Sequence, residues 1–563
     1  MDYPILEFEK DIIKKLSNIL ETDDISLEIP SEERGDYALP CFSFASKLKK
    51  NPVEIASWLA DELRLEMGEI KQTGPYLNFH IDHEYLIRGT LETCFEMGRS
   101  YGTLEPTGKK MLIEHTSANP NGPLHVGRAR NPIIGDTIAR IFQRAGYQVE
   151  AQFYVDDIGR QVAILSWGLL NIEEKDIDEG KSNKIDHKMV GYYQLANELM
   201  ERDKEVKDGI SELMKAIEKG DQETINLFAD NSNKVLEGMK ESLERLNISH
   251  DSYKSESSLI KDGSVEKTAN EMEKLDQCHR EENALFYEKG DNRMFLTRGD
   301  GTNLYPLRDI AYHIWKANQA DELIDVLGED HKVHGVMIKD ALENLGIDPV
   351  PEIIFHSFVS FGGERMSTRK GAYVTLDDMM DLAHEKAVEE VLQRRDDLDV
   401  EQVEKIAETV GMGAVRYNII RVQPEKPMDF RWEEALNFQG NSAPFIQYAH
   451  ARAASILRRW GGKEEELGST IDFSRLNEPG EIQMIKKMAQ FPREIRQAAI
   501  SKAPHLMANY AYELAAQFNQ FYRDHPVINS EDKREERLAI VAVAKIVLGN
   551  VLETLGIDSP ELM

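Results

Sequence analysis

Between Met111 and Leu170 the hydrophobic period changes repeatedly, and this alternation restricts the possible folds more than any other feature of the chain. "MLIEHTS" (111–117) is a short apolar run, "GDTIARIFQRAGY" (135–147) spaces its apolar residues as a helix does, "VEAQFYVDD" (149–157) is strand-like, and "IGRQVAILSWGLL" (158–170) is helical again. Strand, helix, strand, helix at this spacing predicts a parallel α/β sheet. The pattern then stops. Residues 171–250 are charged and helical, with Phe228, Val235, Met239, Leu243 and Leu246 on one face. It returns in "RMFLTR", "ELIDVLG" and "EIIFHSFVSF", so the sheet domain is expected to be interrupted by an insertion.

The rest of the chain frames that domain. The start has a helix ("ILEFEKDIIKKLSNIL"), a second helix near 51–66 and a strand, "YLNFHI". Beyond about residue 385 the pattern is helical to the end. The expected units are 1–105, a first half of the sheet domain at 106–170, a mostly helical insertion at 171–290, a second half at 291–385, a helical connection at 386–430 and a helical domain at 431–563. A chain of 563 residues exceeds one hydrophobic core, which agrees with several domains.

Composition narrows the chemistry. Cys41, Cys94 and Cys278 are too far apart for a disulfide framework or a zinc site, and no protein-bound metal is expected. No apolar run is long enough to cross a bilayer, and the acidic start lacks the features of a signal peptide, so a cytoplasmic protein with no membrane association is expected. The formal charge is −32, yet residues 431–563 carry 16 Lys+Arg against 18 Asp+Glu, a net of −2. That region could face an anionic partner, with help from the N-terminal unit, whereas most of the remaining surface would repel one.

Two segments carry chemistry. "HTSANPNGPLHVGRARNPIIGD" (115–136) joins a strand to a helix, the place where α/β proteins hold phosphates on free N–H groups and the helix dipole. Gly127 allows close approach, while His125 and Arg128 add donors. "FGGERMSTRKGAYVTLDD" (361–378) places Arg365, Ser367, Thr368, Arg369 and Lys370 among glycines, a basic loop suited to a triphosphate. Read alone, each segment also fits an ordinary solvated turn.

Together they resemble the paired signatures of class I aminoacyl-tRNA synthetases, "HIGH" at His125-Val126-Gly127-Arg128 and "KMSKS" at Met366-Ser367-Thr368-Arg369-Lys370. "EHTSANPNGPLHVG", "LTRGDGTNLYPLRDIAYH" and "NSAPFIQYAHAR" are similar to segments of the arginyl-tRNA synthetase family, as is the ending "LGIDSPELM". Two positions depart from that family's pattern: Arg128 replaces a second histidine, and Gly122 stands where many members have lysine. The lysine spacing after Met366 differs as well.

The resemblance implies a Rossmann-type parallel-sheet catalytic domain with a helical insertion, a small α+β N-terminal tRNA-binding-type domain and an all-α C-terminal anticodon-binding domain. It implies ATP-dependent activation of L-arginine and transfer to tRNA(Arg), with Mg2+ on the phosphates and a monomeric enzyme. ATP is expected on Ser117, Ala118, Asn119, Pro120, Asn121, Gly122, Pro123, Leu124, His125, Val126 and Gly127, together with Met366, Ser367, Thr368, Arg369 and Lys370. His125, Gly127, Arg128 and Lys370 are expected to serve catalysis. A guanidinium keeps its charge and offers five donors, so planar acceptors suit it. Glu114 and Asp309, read as strand-end loop carboxylates, and Glu256 are the candidates. By resemblance Asp309, Tyr305 and Glu256 take the guanidinium, while Glu114 and Asn119 hold the α-amino end.

In "APFIQYAHARAASILRRW", Tyr448, Arg452 and Arg459 share one helical face, pairing an aromatic surface with cations for tRNA. Another class I synthetase, a small-molecule nucleotidyltransferase, and a paralogue that holds tRNA without catalysis remain the competing readings.

Overall fold

Met111, Leu112 and Ile113 are all buried, as a strand covered by helices on both faces requires. In the computed structural model, which describes residues 3–30, 34–177, 182–361, 374–464, 467 and 471–563, they lie at the centre of a five-stranded parallel sheet. Its strands are β1 (Lys110–Glu114), β2 (Gln148–Val155), β3 (Ser252–Ser255), β4 (Glu322–Gly328) and β5 (Glu352–His356), in the order β5-β4-β1-β2-β3. Ile113 pairs with Ala151 on one side and Ile324 on the other. The strand order reverses between β1 and β4, and doubly wound sheets open a ligand crevice at that switch point. Helix α1 (Arg130–Arg144) follows β1, α2 (Tyr305–Ala317) precedes β4, and α3 (Lys332–Asn344) joins β4 to β5.

The insertion packs helices Ile185–Arg202, Lys204–Glu218 and Gln222–Arg245 beside Arg160–Asn171. Val235, Met239, Leu243 and Leu246 are buried in one core, whereas Phe228, also buried, joins a separate one with Val162, Ile164 and Ile225. Two segments differ from the sequence reading. β3 falls inside 171–290, because its four half-buried residues show no apolar alternation. "RMFLTR" contributes to a separate antiparallel sheet, Cys278–Glu281, Ala284–Lys289 and Asn292–Phe295, rather than to the parallel one.

After the basic loop segment comes helix α4 (Leu376–Arg394), then Val400–Ile420 and the C-terminal helices, among them α5 (Ala443–Trp460), Pro479–Ala489, Phe491–Ser501, Pro504–Asp524 and Arg534–Thr554. The N-terminal unit sets an antiparallel sheet (Tyr37–Pro40, Tyr76–Ile81, Gly68–Thr73) against helices Pro4–Leu20 and Pro52–Glu62. Its core also takes in Ala489 from the C-terminal helices. The Lys486 ammonium lies 2.6 Å from the Asp36 carboxylate, and Arg496 pairs with Glu9.

Candidate active site

β1 ends at Glu114, and the backbone then turns through positive φ at Thr116 (73°) and Ser117 (37°). Non-glycine residues adopt such angles only where their surroundings enforce them. Here Asn131 is the enforcing group: its Oδ1 accepts from the Thr116 N–H at 2.5 Å, and its Nδ2 donates to the Val326 carbonyl at 2.7 Å. One side chain of α1 thus spans the ends of β1 and β4. Between those ends lies a cleft of about 230 Å3, lined among others by Glu114, Arg128, Tyr154, Asp309, Asp325 and His334.

The phosphate-type turn borders the same cleft. His125 caps the single helical turn Val126–Arg128, with Nδ1 accepting from the Gly127 N–H at 2.9 Å. A Cβ on Gly127 would lie 3.0 Å from that nitrogen, so glycine at this position keeps the cap open. Burial and then the Arg128 charge pull the His125 imidazole below its usual titration range, which keeps it neutral. Arg128 is exposed at the cleft. The Val126 N–H donates to the Val374 carbonyl at 3.1 Å, and the Leu376 N–H donates to the Leu124 carbonyl at 2.7 Å. Met366, Ser367, Thr368, Arg369 and Lys370 lie outside the described residues. Along the rest of the turn, Ala118, Pro120, Gly122, Pro123 and Leu124 are buried, and the Asn121 N–H donates to the Asn119 carbonyl.

Of the residues assigned to arginine, Glu114 and Asp309 both line the cleft. Asp309 sits in α2 rather than on a strand-end loop; Pro306 starts that helix, and its apolar residues Leu307, Ile310 and Ala311 bury one face. His334 Nε2 reaches Asp309 Oδ2 at 2.6 Å. Tyr305 is 59% exposed, with its ring 5.1 Å from that of His334. Asn119 gives its amide to Gln161 instead, at 2.9 Å. Glu256 is buried and accepts from Arg308 Nε at 2.6 Å, so in this arrangement it holds the chain's own guanidinium. Burial pushes its carboxyl well up despite that partner.

Three residues absent from the sequence reading complete the site. Lys316 Nζ donates to Glu114 Oε2 at 2.7 Å and also to Asp325, while His313 Nε2 approaches Asp325 Oδ2 at 2.8 Å. Burial raises the Asp325 carboxyl, but Lys316 and His313 outweigh it and hold the group below the usual carboxylate range. Glu114, His313 and Asp325 are close enough to share a cation, and the Lys316 ammonium already supplies one. For His313 and Lys316 a signal was available: Tyr305, Asp309, His313 and Lys316 recur at intervals of four and three, a polar stripe on one helical face, whereas Asp325 lies within an apolar strand.

A second cleft, of about 450 Å3, lies on α5. Tyr448, Arg452 and Arg459 line it together with Arg395, Arg458 and Tyr522. The Arg452 guanidinium stands 4.7 Å from the Tyr448 ring centre and 5.6 Å from that of Tyr522, and it also binds Asn519.

Comparison with known proteins agrees with this arrangement. Residues 91–432 match the family model "tRNA synthetases class I (R), catalytic domain", residues 6–81 "Arginyl tRNA synthetase N terminal domain" and residues 446–563 "DALR anticodon binding domain". The chain is 42% identical over 568 residues to an arginine–tRNA ligase of Methanosarcina barkeri, covering 98% of each chain. It is 40% identical to that of Methanocaldococcus jannaschii, covering 99% of this chain and 100% of the other. The arginyl-tRNA synthetase of Thermus thermophilus superposes with a TM-score of 0.86 over 100% of both chains at 29% identity. A doubly wound sheet with its cleft at the switch point, flanked by these two further domains, makes the chain a member of the arginyl-tRNA synthetase family.

Proposed function

We propose that this chain joins arginine to tRNA(Arg) using ATP, and that the cleft between β1 and β4 performs the activation. An arginine carboxylate oxygen attacks the α-phosphorus of ATP and pyrophosphate leaves. A ribose hydroxyl of the terminal adenosine then attacks the adenylate carbonyl and AMP departs. Neither step needs a covalent enzyme nucleophile, so the protein contributes position and charge. The observation that carries the reading is the meeting of two carboxylates, Glu114 and Asp309, with a phosphate-type turn at one switch point. Arginine brings two cationic ends and ATP an anionic one.

In this reading His125, Gly127 and Arg128 hold the phosphates with Lys370, and Mg2+ arrives on the ATP. Asp309 and Tyr305 take the guanidinium, joined by Glu256 once Arg308 yields it, while Glu114 and Asn119 receive the α-amino end. Tyr448, Arg452 and Arg459 meet the tRNA, and the enzyme works as a cytoplasmic monomer.

The test is amino-acid-dependent ATP–pyrophosphate exchange with tRNA present. Arginine alone is expected to support it: a neutral side chain would offer the carboxylates no charge, and a lysine ammonium lacks the planar five-donor fork that several acceptors engage. Asp309→Asn should raise the arginine KM about tenfold or more while the ATP KM changes little. Comparable use of lysine or glutamine would overturn the assignment, and equal effects on both KM values would remove Asp309 from the pocket.

A further inference from the structure

Lys316 is wholly buried, with its nitrogen 4.7 Å from the Tyr312 ring centre. Burial alone would drive such an ammonium toward its neutral form; Asp325 and Glu114 reverse that and raise its affinity for the proton. The two carboxylates are not equivalent. Asp325 is only 2% exposed, and its oxygens are taken by Lys316 and His313. His313 Nδ1 lies 2.7 Å from the Asp309 carbonyl, so both ring nitrogens face acceptors. Glu114 accepts from Lys316 on Oε2 and from Ser117 on Oε1, which leaves lone pairs on both oxygens at the cleft wall.

We propose that Lys316 is a positioning residue for amino-acid activation: bridging Glu114 and Asp325, it holds the Glu114 carboxylate aimed into the cleft, where Glu114 receives the α-ammonium of the substrate. The proposal rests on the arginine-activation reading and assigns to a buried side chain the recognition of one end of that substrate. Without Lys316, two carboxylates would be left side by side in a buried place. Their repulsion would go uncompensated, and Glu114 would lose the partner that fixes its orientation.

Two arginine fragments separate this role from a merely structural one. Agmatine keeps the amino and guanidinium groups and lacks the carboxylate; 5-guanidinopentanoate keeps the guanidinium and carboxylate and lacks the amino group. Both are assayed as inhibitors of arginine-dependent ATP–pyrophosphate exchange with tRNA present. Lys316→Met should raise the arginine KM and the agmatine inhibition constant about tenfold or more, as loss of a charge-assisted contact implies, and leave the 5-guanidinopentanoate constant within about threefold. Lys316→Arg, which retains the charge, should restore part of the agmatine binding. If Lys316→Met does not fold, Lys316→Gln carries the same expectation. Equal weakening of both fragments, or no change in either, in a folded variant overturns the proposal while the function stands. A wild-type protein without arginine-dependent exchange overturns the function and this proposal with it.

Discussion

At the scale of single residues, Gly122 explains a departure that the sequence could only register. A Cβ there would lie 2.6 Å from Val190 Cγ2 and 2.7 Å from Val190 Cβ, so the insertion helix Ile185–Arg202 occupies the space a side chain would need. The lysine of the family pattern has no room in this chain. Gly122→Lys should therefore destabilise the protein by ~1–3 kcal/mol, as overpacking does, and lower its thermal midpoint. Adding Val190→Ala should recover part of the loss; an unchanged midpoint in the single variant would show that the helix gives way freely. Sequence reasoning reached His125, Glu114 and Asp309 because each lies in a recognisable segment. It missed Lys316 because a lysine near a helix end reads as solvated, and only the approach of β1 and β4 reveals its two partners.

At the scale of elements, the base of the turn that borders the cleft depends on the insertion. His125 bridges Thr375, and two residues later Asp377 accepts from Lys184 Nζ at 2.9 Å and from Ser242 Oγ at 2.8 Å, and meets His187 Nε2 at 2.8 Å. Burial raises the Asp377 carboxyl, but these partners outweigh it and bring the group down to about 2. A carboxyl held below its unfolded value of roughly 3.9 stabilises the fold fully above that pH and ceases to do so as pH falls toward the folded value. Asp377→Asn should cost ~2 kcal/mol at neutral pH. Hydrogen exchange in α4 is expected to show the gap between wild type and variant narrowing from pH 5 to pH 3, and a constant gap would refute the linkage. The alternation that announced the parallel sheet was legible because its apolar runs are buried on both faces. β3 was not legible, since its own residues, Ser252–Ser255, are all half-buried and only one is aromatic, so no apolar run marks the strand that pairs with β2.

At the scale of the whole molecule, the uneven charge and the α5 cleft point the same way. The near-neutral C-terminal region presents Tyr448, Arg452 and Arg459 together, while most other surface repels polyanions. Arg452→Ala with Tyr448→Ala should weaken tRNA affinity and make its salt dependence shallower by about one unit of slope for the lost arginine, with arginine and ATP binding retained. Unaltered tRNA affinity in the folded double variant would move the site elsewhere. The joint between the chain's two ends also sets a schedule for synthesis. Tyr101 OH donates to the Met488 carbonyl, Asn550 donates to the Gly98 and Tyr101 carbonyls, and Arg496 reaches Glu9. At the ordinary pace of roughly 5–20 residues per second, the ribosome needs roughly 20–80 seconds to travel from residue 105 to residue 496. Throughout that interval the first unit stands on the nascent chain with the surface meant for Ala489 and its neighbours uncovered, so completion of its fold waits until residues 486–496 have been made.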